Sequence, residues 1–517
     1  MKLRACILIL SMLTTLSLHG QTITEANKDS LKRIGLSEVA FIIDQIENNY
    51  ISGRRGLSDS AWNSGVERVN AEVERFFDNG GQGYYVYLLR YLNLLRDDAH
   101  FKFPDTGMYN RWRVFEKEDA LFPLWVQTWD DGSVYNVKDF TGKIPRYAQI
   151  HTINGQSAQE IALLSRALCP GEDANAMAMM NADYEASARS WPNFTNHLFM
   201  EMTLGRMYLP FEVVYSLPES NRLDTTVLYP ITREQKHKLS KKSENRRLKG
   251  ELVGGKPVVY ENVGDGIGVL SINMFWGKRW GAMLLFGKDW RYKRLIRGAM
   301  RRIDRDNIEE LVVDVSRNSG GMRENLYYTL NYFTDQPIDM NKVFLVTEAS
   351  REKLQTNLSN SPEIEESDRE RLIEYVGGVA SGTRFSTDTV CNLQYLPDNP
   401  KHGFRGKVYV LTSPITYSAG QMFAQYCQTL GIGLTAGQHS GGYRAITGGN
   451  LANITLPWVN WLEFGVPFSL EGLEKAEGEL YEYPDVDLLI DHPFSEWLER
   501  ENHSLERLVE MLRSDEI

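Results

Sequence analysis

Cysteine is scarce in this chain: there are four in 517 residues. Cys6 sits in the leading apolar stretch, and Cys169, Cys391 and Cys427 are left, far apart and odd in number. Such a set gives neither a disulfide framework nor metal-ligand spacing, so buried apolar thiols are expected. An excess of positive charge is also missing. Lys and Arg number 57 against 68 Asp and Glu, a formal net charge of -11. That balance argues against nucleic acid as a partner, because duplex binding needs a concentrated basic surface to displace counterions. The one basic run, Arg233 to Lys249, reads as a solvated linker. Past the first twenty residues, no apolar run approaches the roughly 20 residues of a membrane-spanning helix. The strings Gly-x-Gly-x-x-Gly and Gly-x-x-x-x-Gly-Lys are absent, so neither nucleotide fingerprint applies. His151, His197, His237, His402, His492 and His503 have no Cys, Asp or Glu at metal-ligand spacing, and no metal or cofactor is expected.

What is present reads as an exported, multidomain globular protein. Lys2 and Arg4, the apolar stretch Ala5 to Leu18 and the small Gly20 form an export signal over residues 1–20, which places the mature chain in the periplasm or outside the cell. Hydrophobic residues at 42% and charged residues at 24% are ordinary for a globular chain, and the length calls for two or three cores. Residues 21–116 carry helical spacing, with Val39, Ile42, Ile43 and Ile46 on one face and Tyr85, Leu88, Leu89, Leu92 and Leu95 on another. A short strand follows at Phe101 and Phe103. Residues 117–232 switch to strands: Leu124 to Trp129, Val134 to Val137, a turn at Asn154-Gly155, Phe211 to Tyr215 and Thr226 to Tyr229. A helix from Ala158 and a helical insertion around Ala176 to Met207 interrupt them. After a linker at 233–255, residues 256–517 alternate strands (Ile267–Ile272, Leu311–Val315, Lys407–Leu411) with helices (Tyr292–Asp304, Asn325–Phe333, Ala419–Leu430). That alternation predicts an α/β core on a largely parallel sheet. Residues 350–398 are polar, with a charged helix at Glu363–Tyr375, and read as an insertion.

Two segments of this core carry chemistry. The strand Leu311–Val315 runs into Asn318-Ser319-Gly320-Gly321, which puts bare backbone N–H groups at the carboxyl edge of the sheet, where open α/β folds bind ligands. An oxyanion-binding loop is one reading and a tight turn the other. In Thr416-Tyr417-Ser418-Ala419, a serine stands one residue before an amphipathic helix whose free N–H groups and dipole favour an anion. The plain alternative is a serine N-cap.

These two segments, followed by Ala436-Gly437-Gln438-His439-Ser440-Gly441-Gly442, resemble the tail-specific (C-terminal processing) serine protease family in its tricorn-core-like branch. Members typically carry Asp-Leu-Arg-x-Asn-x-Gly-Gly, Thr-x-Ser-Ala-x-Glu and Gly-Glu-x-Thr-Gly-Gly. Here Ser316 stands at the family arginine and Gln421 at the glutamate. The resemblance covers Val259 to about Ile490, and the strand order of 117–232 resembles a PDZ domain. It implies a ClpP/crotonase-like core and a secreted serine endopeptidase forming an acyl-enzyme at Ser418. The Ala419 N–H and that of Gly320 or Gly321 would be the oxyanion donors. Protein or peptide substrates would be held in part by the PDZ-like domain. One branch of the family uses a lysine base. No lysine occurs between Ser418 and Lys475, and Arg444 cannot act as a base. The other branch uses a histidine in an Asp-x-His sequence, which Asp98-Ala99-His100 matches, so the resemblance makes His100 the base. Glu477 and Glu479, ahead of Pro484-Asp485, compete to orient it. Ala99 replaces a serine of tricorn, which leaves Asp97 or Asp98 to add polar support. The family also contains retinoid-binding relatives, so a non-catalytic ligand-binding protein of the same fold is the alternative.

Overall fold

A computed structural model describes residues 28–54, 57–78, 98, 100, 120–129, 131–162, 210–217, 220, 222–232, 235, 256–277, 289–361, 363–398, 400–457, 463–471, 482–490, 503–514 and 516–517. The export signal, the second helical face at 85–95, the Phe101–Phe103 strand, the helical insertion, nearly all of the basic linker, Cys169, Glu477 and Glu479 lie outside them.

The chain opens with α1 (Lys28–Asn49) and α2 (Asp59–Asp78), which pack against each other. Val39, Ile42 and Ile46 are buried on α1, and Trp62, Val69 and Val73 on α2. Both sets follow the 3.6-residue period, so each helix hides one stripe. An antiparallel sheet follows, of β1 (Leu124–Thr128), β2 (Val134–Asp139), β3 (Gln149–Ile153), β4 (Gln156–Ser157), β5 (Phe211–Ser216) and β6 (Leu223–Leu228). Its order is β1-β2-β3-β5-β6, with β4 hairpinned onto β3. Asn154 and Gly155 turn that hairpin with φ of 50° and 77°, the left-handed pair that two-residue hairpin turns demand. One hydrophobic cluster unites these elements. Val39, Trp62, Val126, Ile150 and Val213 belong to it, and so do Ile454 and Phe464 from the hairpin Leu451–Thr455/Glu463–Pro467. A C-terminal hairpin therefore completes the N-terminal core.

The second sheet consists of β7 (Val258–Gly264), β8 (Ile267–Ile272), β9 (Glu310–Asp314), β10 (Lys407–Thr412), β11 (Leu434–Gly437) and β12 (Leu488–Leu489), in the order β12-β11-β10-β9-β8-β7. Every pairing from β8 to β12 is parallel, and β7 runs antiparallel to β8. Helices cover both faces, which explains the nearly unbroken apolar runs of β9 and β10. Leu311 and Val313 point into one core with helices α3 (Trp290–Arg305), α4 (Arg323–Leu330), α5 (Arg351–Ser359), α6 (Glu366–Gly378) and α7 (Ala419–Thr429). Val312 points the other way, against Leu508 and Leu512 of α8 (His503–Arg513).

Residues 350–398, read from the sequence as a polar insertion, are part of the main core. Leu354, Leu358, Leu372, Val376, Phe385 and Cys391 are buried in the same cluster as β9. Strand Thr383–Ser386 extends a small antiparallel sheet of Val343–Val346, Ser469–Glu471 and Ile446–Thr447. The charged residues that suggested an insertion occupy the outer faces of α5 and α6, whose leucines and valine recur four residues apart. Cys391 and Cys427 are free and buried, as their scarcity suggested. No helix among the described residues is long and apolar enough to cross a membrane.

Candidate active site

Strand β10 ends at Thr412, and the chain turns before entering α7. Thr416 fixes this turn: its hydroxyl donates to the Val315 carbonyl at 2.8 Å and accepts the Ser413 N–H at 3.0 Å. The Tyr417 amide then donates to the Asn318 carbonyl at 3.0 Å. Ser418 follows with φ 51° and ψ -125°, a left-handed conformation for a residue with a side chain. Such strain persists only where the surroundings impose it, and it is characteristic of sites that aim one side chain outward. Ser418 occupies the N-cap position of α7, yet its hydroxyl makes no capping hydrogen bond. The plain N-cap reading is thus set aside.

The loop after β9 folds against this turn. Asn318, fully buried, donates through Nδ2 to the Ile272 carbonyl at 2.9 Å and accepts the Gly320 N–H through Oδ1 at 2.8 Å. The Gly320 amide is therefore committed to Asn318. Of the donors anticipated, Gly321 and Ala419 are the two that line the cavity beside Ser418. Glycine is required at 320, where φ is 120° and a Cβ would lie 2.8 Å from that of Ser418. At Gly321, with φ 141°, a Cβ would lie 2.8 Å from the Phe275 backbone.

His100 Nε2 lies 3.1 Å from Ser418 Oγ. On the other side of the ring, Nδ1 is 3.4 Å from Thr447 Oγ1, and the Thr447 hydroxyl donates to Asp98 Oδ1 at 2.8 Å. With that hydrogen directed to Asp98, Thr447 Oγ1 can only accept from His100, which places the ring proton on Nδ1 and leaves Nε2 bare toward Ser418. Asp98, fully buried, also accepts the His100 amide at 2.8 Å and the Tyr50 hydroxyl at 2.5 Å. The Tyr417 ring packs 5.1 Å from the imidazole, centroid to centroid. Asp98 was among the supports anticipated. Thr447 was not, because nothing in Ala445-Ile446-Thr447-Gly448 marks a threonine that pairs with a residue 349 positions away.

The departures from the family pattern also find physical roles. Gln421, fully buried, donates through Nε2 to the Tyr443 carbonyl at 2.6 Å and accepts the Gly442 N–H through Oε1 at 2.9 Å. An ionised glutamate could make only the second bond. Ser316 donates its hydroxyl to Asp314 Oδ1 at 2.6 Å, holding the end of β9. Arg444 pairs with Asp485 at 2.6 Å. His439 stacks on Tyr483 with ring centroids 4.3 Å apart.

Residues 266–452 match peptidase family S41. No curated protein matches the sequence. Among solved structures, mature CPAF complexed with lactacystin is similar with a TM-score of 0.58 at 16% identity, over 94% of this chain and 99% of that one. Mature CPAF gives 0.58 at 15% identity, over 94% and 98%. At such identities the likeness speaks for the fold, which extends over nearly the whole length of both chains. The S41 segment contains the serine elbow and the glycine loop just described, and it marks the chain as a serine-type peptidase similar to the tail-specific proteases.

Proposed function

We propose that the chain is an exported endopeptidase that cleaves peptide bonds through an acyl-enzyme at Ser418, with His100 as the base. The observation that carries this reading is the 3.1 Å approach of His100 Nε2 to Ser418 Oγ across 318 positions of sequence. Ser418 Oγ attacks the scissile carbonyl carbon and its proton passes to Nε2. The carbonyl oxygen, now anionic, is met by the N–H groups of Gly321 and Ala419, the latter at the positive end of α7. The imidazolium then gives its proton to the departing amine as the C–N bond breaks, leaving an ester on Ser418. Water attacks that ester, its proton going to His100 and onward to Ser418 Oγ, and the acid product leaves. Through Thr447, Asp98 holds the ring in the tautomer the cycle needs and favours its charged form.

A serine-reactive fluorophosphonate should label the wild type and fail on Ser418→Ala. His100→Ala should lower the turnover of casein about 10²–10⁴-fold while the circular dichroism spectrum stays native. Full activity in the His100 variant would remove His100 as base, and labelling of Ser418→Ala would remove the nucleophile. Export rests on residues 1–20, and N-terminal sequencing of the protein recovered outside the cytoplasm should begin near Gln21. A recovered chain that still begins at Met1 would contradict it.

A further inference from the structure

The end of α1 and the strand Ile446–Thr447 meet behind His100. Tyr50 follows the last turn of α1, its amide donating to the Ile46 carbonyl at 3.1 Å. The side chain is 2% exposed, and its hydroxyl donates to Asp98 Oδ2 at 2.5 Å. The opposite oxygen, Oδ1, takes the Thr447 hydroxyl and the His100 amide, both at 2.8 Å. The two side chains that hold the carboxylate share one seat. Ile51, next to Tyr50, is buried in a small cluster with Ala445 and Leu470, and Leu470 is the ladder partner of Thr447. The Ile51 amide also donates to the Pro467 carbonyl at 3.0 Å, which ties this corner to the hairpin at 451–467. A phenylalanine at position 50 would fill the same core, so packing alone does not call for the hydroxyl.

We infer that Tyr50 is a positioning residue of the peptidase site: by donating to Asp98 it keeps that buried carboxyl ionised and so fixes the direction of the hydrogen bonds that run through Thr447 to His100. The inference rests on the Ser418–His100 reading and extends it by one link. Full burial pushes a carboxyl toward its neutral form, and each hydrogen bond donated to the carboxylate pulls the other way. Short bonds from a hydroxyl to a carboxylate are among the stronger ones. The ionised form matters because a carboxylate can only accept. Facing Thr447, it draws the hydroxyl hydrogen, so Oγ1 accepts from Nδ1 and Nε2 stays bare for the Ser418 proton. A proton on Asp98 Oδ1 would reverse the chain. Asp98 would donate to Thr447, the threonine hydrogen would turn to Nδ1, and the ring proton would sit on Nε2, leaving no base toward Ser418. Of the carboxyl's partners named here, Tyr50 and His100 titrate, the phenol at about 10 and the imidazole at about 6.5 in their ordinary ranges. Glu471, on the strand paired with 446–447, is itself ion-paired with Arg323. Around neutral pH the phenol therefore keeps its proton and remains a donor.

The test uses the full chain and Tyr50→Phe, which removes one hydroxyl and keeps the ring. Its kcat on casein should fall about tenfold at pH 6 with KM little changed, and the deficit should shrink to about twofold at pH 9, where the carboxyl is ionised again. In a Thr447→Val background, where the relay is already cut, Tyr50→Phe should lower kcat by no more than about twofold further. A second readout needs no turnover. Nitrogen NMR of isotopically labelled histidine in Ser418→Ala, with the His100 signals assigned by their loss in His100→Ala, should show the ring proton on Nδ1 at pH 7. Adding Tyr50→Phe should shift those signals toward the Nε2 tautomer. Wild-type kcat in Tyr50→Phe, a deficit of equal size from pH 6 to 9, or one that adds in full to that of Thr447→Val would overturn the assignment. So would a ring proton found on Nε2 with Tyr50 in place, a result that does not depend on the folding of the Phe variant. A ring tautomer that depends on Tyr50, in a chain that neither hydrolyses casein nor takes the fluorophosphonate, would retain the relay and remove the endopeptidase reading.

Discussion

At the residue scale, the chemistry turns on which groups donate and which accept. Thr447 is the clearest case, since its single hydroxyl hydrogen goes to Asp98 and its oxygen is left to receive the His100 Nδ1 proton. Thr447→Val keeps the shape and removes both bonds. It should lower kcat about 10- to 100-fold with little change in KM, because the loss falls on the orientation of the base rather than on substrate contacts. Thr447→Ser, which restores the hydroxyl, should recover most of the rate, and a Val variant with wild-type kcat would deny the positioning role. Ser418 and His100 were legible in the sequence because short motifs surround each of them. Thr447 was illegible, since its role depends on pairing between strands far apart in the chain. Which of the two glycine amides is left unclaimed by Asn318 was equally hidden. Gly320 and Gly321 are adjacent and alike on paper, and only the turn that brings Asn318 Oδ1 onto one amide tells them apart.

The elements show where periodicity is a good guide and where it fails. Strands β8 to β10 and helices α3, α4 and α7 fall within two or three residues of their expected bounds, because long apolar runs and 3.6-residue stripes are strong signals. Residues 350–398 were misread because their charge density outweighed four apolar positions. Leu354 and Leu358 of α5, and Leu372 and Val376 of α6, lie at i and i+4, enough for one narrow stripe per helix. A free-standing insertion would tolerate truncation there, whereas a core element would not. Leu372→Ala, at a side chain with no exposure, should therefore destabilise the fold by about 2–5 kcal/mol in urea titration. A change under about 0.5 kcal/mol would return the segment to the status of a surface excursion.

At the scale of the whole molecule, His100 and Ser418, the base and nucleophile of the proposed mechanism, come from parts of the chain 318 positions apart. Tyr50, Asp98 and His100 are contributed by the N-terminal part, and Ser418 and Thr447 by the α/β part. The hairpin at 451–467, built into the N-terminal core, ties the two together. Hydrophobic patterning could announce both parts, but it carries no information on how they dock. That division also sets a timetable. A ribosome delivers His100 early and Ser418 only after 318 further residues, and the hairpin that seats one part on the other comes later still. Every nascent chain therefore passes most of its synthesis with His100 made and Ser418 still to come. The candidate site can therefore assemble only once the chain is essentially complete.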